Sequence, residues 1–450
     1  MKRPNAGLWL LLTAAVSVQA EARLEHRVWL MDPSLTAEEV SQLRGAGIDG
    51  AVVPVGSAEI AQGAARLTLD PLPDPRGLDG WGVVPLVWVR GDGDAAGDAE
   101  AFLSQFGVVA KVFRQRAGVV LAAREYWPGL PRFAGAVAKR LGASVEVAMP
   151  AVALAQQLTP GGWPGVLANA VAFGNPTALG FSASTLHDDL HALDSLDDLG
   201  VTYRVSLVVL PTVKPPASGG GESLAELARS TVADYQPSQR GDAFILRSSL
   251  AWGGALLSRG TTVEIDFVDT ARYDRDLGML MRPVRNGLTG WDTAGLPPSG
   301  TAIGMNREAL LDYMTGNPPR PVPEIVVEWT GATRMRVAVG NASPHGSAAA
   351  TTGNWIEIAF PGGIIGDLDL GDFRGVEYGV LNGSRFRKAG SGEASALRLY
   401  VTLLPPGSQI GAAEVRFVQR PRELTGRWGL RLSDGRDVTG TPQPLPLGGR

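Results

Sequence analysis

Seven apolar runs follow one another in the first half of the chain, and most are separated by stretches with helical periodicity. They read "HRVWLMDP" (26–33), "GAVVPVG" (50–56), "GVVPLVWVRGD" (82–92), "AGVVLAAREYW" (117–127), "SVEVAMP" (144–150), "ANAVAFGNP" (168–176) and "YRVSLVVLP" (203–211). An eighth is expected from "DAFILRSS" (242–249) or "TVEIDFVD" (262–269). Continuous Val, Ile and Leu runs mark strands buried on both faces, which helices must cover. Eight such units in about 250 residues are the size of a closed (β/α)8 TIM-like barrel. An open doubly wound sheet would want a glycine-rich turn after its first strand, and "WLMDPSLT" has none.

The pattern changes past "TGNPPRPVPE", whose prolines favour an extended connection. Beyond it "EIVVEW", "RMRVAVGN", "NWIEIAF", "ALRLYVTLL", "AEVRFVQ" and "WGLRLSDG" alternate polar with apolar residues. Alternation of this kind belongs to antiparallel strands with one face in a core. The expected class is therefore α/β, a TIM-like barrel followed by a smaller all-β sandwich. The expected organisation is a signal peptide at 1–22, barrel at 24–314, Pro-rich linker at 315–323, sandwich at 324–433 and a disordered tail at 434–450.

Lys2 and Arg3, the apolar run Leu8 to Val18, and small residues at Ala20 and Ala22 have the layout of a secretory signal. That run is too short for a membrane span, which needs about 20 apolar residues, and none later is long enough. Periplasmic or secreted localisation is expected. The chain has no cysteine, which excludes disulfides and thiolate chemistry. Its net charge of -4 offers no basic field for nucleic acid.

"TLHDDLHALDSLDDLG" (185–200) places His187 and His191 four apart, close to the His-Glu-x-x-His pattern of zinc hydrolases. On a helical wheel Leu186, Leu190, Leu193 and Leu196 form one apolar stripe, and the histidines fall beside Asp194 and Asp198. Asp188 is one methylene shorter than the usual base, and no third ligand follows. The stretch therefore reads as the solvated face of an outer helix, with no metal and no cofactor expected; a metallohydrolase is the minor alternative. The acids Asp367, Asp369 and Asp372 of "GDLDLGDF" lack calcium-loop spacing and read as a turn at a strand end.

A barrel carries its chemistry at the C-terminal ends of its strands. There the sequence puts Asp32; Arg90 and Asp92; Arg124, Glu125, Tyr126 and Trp127; Asn175; and Asp269. Trp29 and Trp88 lie within strands, and Trp291 and Asp292 are expected on a long loop. Aromatic faces with carboxylates nearby suit a sugar, which stacks its C–H face and hydrogen-bonds its hydroxyls. Glycoside hydrolysis needs two carboxyls from different strands. The expected catalytic set is Glu125 with Asp269 or Asp92, and the remaining residues would bind the glycan.

The stretches "GVVLAAREYWPGLPRFAGAVAKRLGASVEVAMP", "YRVSLVVLP" and "RMRVAVGNASPHG" together resemble a group of secreted bacterial proteins of unassigned function, whose barrels are similar to glycoside hydrolases. The resemblance implies a glycan as substrate or ligand. In that group the fourth strand typically ends in an Asp-x-Asp-like pair before a proline. Ala122 and Arg124 stand at those positions here, and Glu125 alone is acidic. The resemblance thus implies either a hydrolase or a catalytically degenerate barrel. A non-catalytic envelope module that binds a glycan or a protein is the alternative.

Overall fold

The structure is a computed structural model. It describes residues 23–447, apart from 32–35, 73–77, 79–80, 95–97, 114–117, 215–226, 228–232, 238–240, 253, 297–303, 318–320 and 433–434. The expected signal peptide, Asp32 and part of the expected linker lie outside the described residues.

Eight parallel strands form the first layer: Glu25–Leu30, Gly50–Ala61, Gly82–Gly91, Val119–Ala123, Val145–Pro150, Val166–Gly174, Tyr203–Val208 and Leu288–Leu296. Strand one pairs with strand two (Arg27 beside Gly50, Trp29 beside Val52) and with strand eight (Glu25 beside Gly290, Val28 beside Thr293), so the sheet closes on itself. Closure explains the uniform burial of strands such as "VVLAA" and "VEVAMP": one face lines the ring and the other meets helices. The helices Ala37–Gly45, Ala99–Val112, Leu130–Leu141 and Leu186–Asp198 lie where the sequence periodicity places them. After strand two the chain instead doubles back in a hairpin with Ala64–Leu69.

The eighth strand differs from the expectation. Neither 242–249 nor 262–269 joins the ring. Gly241–Leu246 and Thr262–Asp266 belong to a four-stranded antiparallel sheet with Thr212–Lys214 and Ala233–Pro237, inserted between strands seven and eight. In "TVEID" only alternate residues are buried, as befits a sheet with one core face. The eighth strand is "LTGWDTAGL" (288–296), so Trp291 and Asp292 lie mid-strand and not on a long loop. No oily run announces it, because its inward residues meet charge.

That charge fills the lower half of the ring. Arg27 on strand one donates to both oxygens of Glu146 on strand five, each at 2.7 Å, and to both oxygens of Asp292 at 2.9 Å. Arg204 on strand seven donates to Asp292 Oδ1 at 2.9 and 3.2 Å and to Glu25 at 2.5 Å. Asn169 and Trp29 donate to Asp292 Oδ2 at 2.9 and 3.0 Å. Gly290 must lack a side chain, since a Cβ there would lie 2.7 Å from the Arg204 guanidinium and 2.2 Å from the Glu25 carbonyl oxygen. Burial alone would raise the Asp292 pKa, but Arg27 and Arg204 outweigh it and hold the carboxyl well below its usual range. Burial likewise opposes the Arg27 charge, and Asp292 and Glu146 override it.

The C-terminal region is all β. The strands Pro323–Trp329, Arg334–Asn341, Ser408–Gln419 and Ile364–Asp369 form one antiparallel sheet. A second runs through Arg385–Lys388, Gly375–Asn382, Ala396–Tyr400, Trp355–Ala359 and Thr425–Arg431. Residues such as Val337, Ile358, Leu399 and Val415 pack in one core. The terminal stretch, expected to be disordered, forms short strands: Asp437–Thr439 pairs with Gly429–Arg431, and Gln443–Pro444 with Thr425–Gly426. Backbone pairing along a sheet edge needs no apolar periodicity, which is why the sequence does not betray it.

Removing one member of a buried ion network strands its partners, at a cost of about 3–5 kcal/mol. Asp292→Asn should lower the urea-unfolding free energy of the barrel by that amount. An unchanged midpoint would show that the network does not hold the ring together.

Candidate functional site at the strand-end mouth

At the C-terminal end of the ring the interior is apolar. Trp29, Val52, Leu86, Ala122, Ala148, Val171, Val208 and Ala294 come from the strands. The loop after strand six closes the mouth. Pro176–Leu179 forms a 3-10 turn ending at Gly180, and Leu179 and Phe181 join the interior cluster, 4% and 3% exposed. These figures decide what the mouth can do: its centre is filled by side chains.

Arg124 fastens this plug. Its Nε donates to the Leu179 carbonyl oxygen at 3.0 Å, and its guanidinium lies over the Trp88 ring at 4.7 Å. Trp88 in turn tilts against Phe181 at 5.8 Å. Gly180, at φ 80°, is needed for this approach, because a Cβ there would stand 2.8 Å from Arg124 Nε.

The end of strand six is strained. Phe173 adopts φ 63° and Gly174 φ 65°, and a left-handed conformation in a bulky residue needs over-determined surroundings. Three side chains supply them. Asp189 accepts from the Phe173 N–H at 2.9 Å, Asp276 accepts from the Gly174 N–H at 3.2 Å, and Arg272 donates to the Gly174 carbonyl oxygen at 2.6 Å. Burial raises the pKa of both acids.

The sequence-derived candidates therefore divide. Trp29 and Asp292 are joined by a hydrogen bond deep inside the ring, and Asp292 is fully buried. Trp88 and Arg124 meet at the mouth. Arg90, Asp92 and Glu125 are exposed near the strand ends, and Tyr126 is half-buried against the outer core. Trp127 is buried on the outside of the ring, its indole against Gly91. Asn175 is buried and donates to the Leu210 carbonyl oxygen and to Thr212 Oγ1 at 3.1 and 3.2 Å, spending its amide on loop structure. Asp269 caps the helix Thr270–Met281 by accepting from the Arg272 N–H at 2.7 Å, and burial raises its pKa. Trp291 stacks on His26 at 4.6 Å, toward the N-terminal end of the ring.

His187 and His191 are exposed on the helix Leu186–Asp198. Asp188 forms a capping box with Thr185, and its neighbour Asp189 is the clamp on Phe173. The buried face is Asp189, Ala192, Leu193 and Leu196, while Leu186 is exposed. The expected leucine stripe is thus rotated toward Asp189, because the carboxyl is needed inside. Among the described residues no group of three or more His, Asp or Glu could hold a metal ion. In the sandwich, Asp369 accepts from the Gly371 N–H at 3.0 Å, a turn at a strand end as the spacing suggests.

Sequence reasoning missed Asp189, Asp276 and Asp242. The last titrates near neutrality. Asp242 is 7% exposed on the inserted sheet, and burial, with the Asp269 charge, pushes its carboxyl up to about 6 against a hydrogen bond from Tyr235. The signal was present in "GDAFIL": Asp242 shares a strand face with the buried Phe244 and Leu246.

No protein-family model matches the chain, and no curated protein matches it. Among solved structures, the chain is similar to the spore cortex-lytic enzyme SleL of Bacillus megaterium QM B1551. The identity is 12% and the TM-score 0.40, over 65% of this chain and 74% of that one.

A raised carboxyl pKa stabilises the fold while the group stays protonated and stops doing so as pH rises through the folded value. The rise of the Asp242 carboxyl from its ordinary value to about 6 corresponds to about 3 kcal/mol. Asp242 should therefore make the wild type lose stability between pH 4 and pH 7, and Asp242→Asn should flatten that slope. Parallel pH profiles for the two proteins would contradict the assignment.

Proposed function

We propose that this is a glycoside-hydrolase-like barrel protein that holds a glycan against its strand-end face without cleaving it. The carrying observation is the plug: Trp29, Leu179 and Phe181 fill the ring up to its rim, so a sugar rests on the mouth and does not descend between two carboxyls. The rim offers what such a ligand needs. The Trp88 ring and the Arg124 guanidinium lie together, with exposed Arg90, Asp92 and Glu125 at the strand ends to meet hydroxyls. The acids inside the ring are committed to Arg27 and Arg204, and Asp269 to its helix cap. Export to the envelope belongs to this reading and rests on Lys2, Arg3 and the run Leu8 to Val18.

A hydrolytic reading, with Glu125 as acid/base and Asp269 or Asp92 as its partner, has one observation in its favour: Glu125 and Asp92 are both exposed near the strand ends.

A glycan array and a reducing-end assay on the full-length protein separate the two. The binding reading expects saturable binding, no release of reducing ends, and about tenfold weaker binding by Arg124→Ala, the loss of one stacked cation. Reducing-end release that Glu125→Gln abolishes would replace this reading with the hydrolytic one. Absence of glycan binding would remove it.

A further inference from the structure

In the second sandwich sheet, alternate residues serve opposite faces. Ile356, Ile358, Leu397, Leu399 and Leu430 enter the core. Their neighbours point the other way, and cross-strand pairing assembles them. Trp355 lies opposite Tyr400 and Gly429, and Glu357 opposite Arg398 and Arg427. Glu377 lies opposite Arg398 on the next strand, and Phe386 follows on the edge strand. Glycines make room for the rings. A Cβ at Gly429 would lie 2.4 Å from the Trp355 indole, and one at Gly379 would lie 2.4 Å from the Phe386 ring. The Arg398 guanidinium reaches both rings, 4.2 Å from that of Trp355 and 4.4 Å from that of Phe386. The three side chains form an aromatic and cationic row across the sheet.

At the centre of this face charge does not balance. Arg398 donates to Glu357 Oε2 through Nε and Nη2 at 3.1 and 3.0 Å. Arg427 uses the same two nitrogens, on Oε1 at 2.6 Å and Oε2 at 3.0 Å. Lys388 pairs with Glu377. Three cations thus share two carboxylates, and one positive charge is left over. Glu357 is 2% exposed, but the Arg398 and Arg427 side chains keep 21% and 14% and Lys388 keeps 75%, so the surplus charge reaches solvent. A ladder that served stability alone would match its charges singly, since exposed pairs contribute little and like charges repel.

These groups offer what one ring of an acidic sugar needs. Aromatic surface takes its C–H face, the guanidiniums take its carboxylate, and Glu377 and Tyr400 take its hydroxyls. An acidic peptide side chain has neither a ring-sized C–H face nor hydroxyls to give Glu377. We propose that this outer face of the sandwich binds a glycan whose sugar units carry a carboxylate, held against Trp355 and Phe386 with the carboxylate on Arg398 and Arg427. The face belongs to the sandwich and does not depend on the strand-end reading.

Oligogalacturonate carries a carboxylate on each sugar, and its methyl ester keeps the rings and loses the charge. Calorimetric titration of the full-length protein should show saturable oligogalacturonate binding, with the methyl ester about tenfold weaker. Arg427→Gln removes the surplus charge while Arg398 keeps Glu357 paired, and it should bring the acid down to the ester level. Trp355→Ala should weaken both probes. Circular dichroism establishes that each variant is folded, and the wild-type comparison of the two probes stands without either. Oligogalacturonate held at the strand-end mouth instead would bind folded Arg427→Gln with unaltered affinity, and that result would overturn the proposal. So would no saturable binding, equal affinity for acid and ester in the wild type, or polyglutamate binding as tightly as oligogalacturonate.

Discussion

Arg27 stands at the centre of the barrel's construction. One guanidinium grips Glu146 on strand five and Asp292 on strand eight, and Arg204 on strand seven grips Asp292 from the other side. Four strands are thus tied across the lumen by contacts that no single pair of neighbours could make. Desolvating these charges is costly, and only near-complete pairing makes the arrangement tolerable. Asn169 and Trp29 also donate to Asp292, and the Ser206 hydroxyl donates to the Asn169 amide oxygen at 2.7 Å with Asp292 Oδ2 3.3 Å away. Where most barrels stack branched apolar residues in layers, this one sets a charged layer beneath an apolar one. Directional bonds of this kind fix the register at the seam, where strand eight must find strand one.

The same division governs the mouth. With charge confined below, the upper ring is closed by Trp29, Leu179 and Phe181, and the strained turn at Phe173 and Gly174 delivers the last two. Acids that might have served chemistry are instead structural: Asp189 and Asp276 hold that turn, and Asp269 starts a helix. The surface left for a ligand is the rim, with Trp88 and Arg124 at its best-defined point.

The sequence was legible where physics gives a local signal. Seven strands are two-sided and therefore continuously apolar, so their runs mark them. Strand eight was illegible for the converse reason. Its inward position is Asp292, whose partners lie 265 and 88 residues away, and no local pattern reports them. The inserted sheet then borrowed its place, since "DAFIL" looks apolar without context. The histidine helix shows both outcomes. Its solvated face was readable from spacing, while Asp189 was not, because a buried acid on an amphipathic helix breaks the pattern that reveals the helix. At the candidate site, the meeting of Arg124 with Trp88 depends on a loop from strand six, and neither residue's neighbours in sequence foretell it.

The central claim is that the charged layer closes the ring. Amide hydrogen exchange on the wild-type protein tests it most directly. If the network holds the seam, the amides of Val28, Trp29 and Thr293 exchange as slowly as those of Val120 and Val147 in the middle of the sheet, through one global opening. Seam amides that exchange orders of magnitude faster than the middle strands would mean that strands one and eight part on their own. The charged layer would then not be what closes the ring.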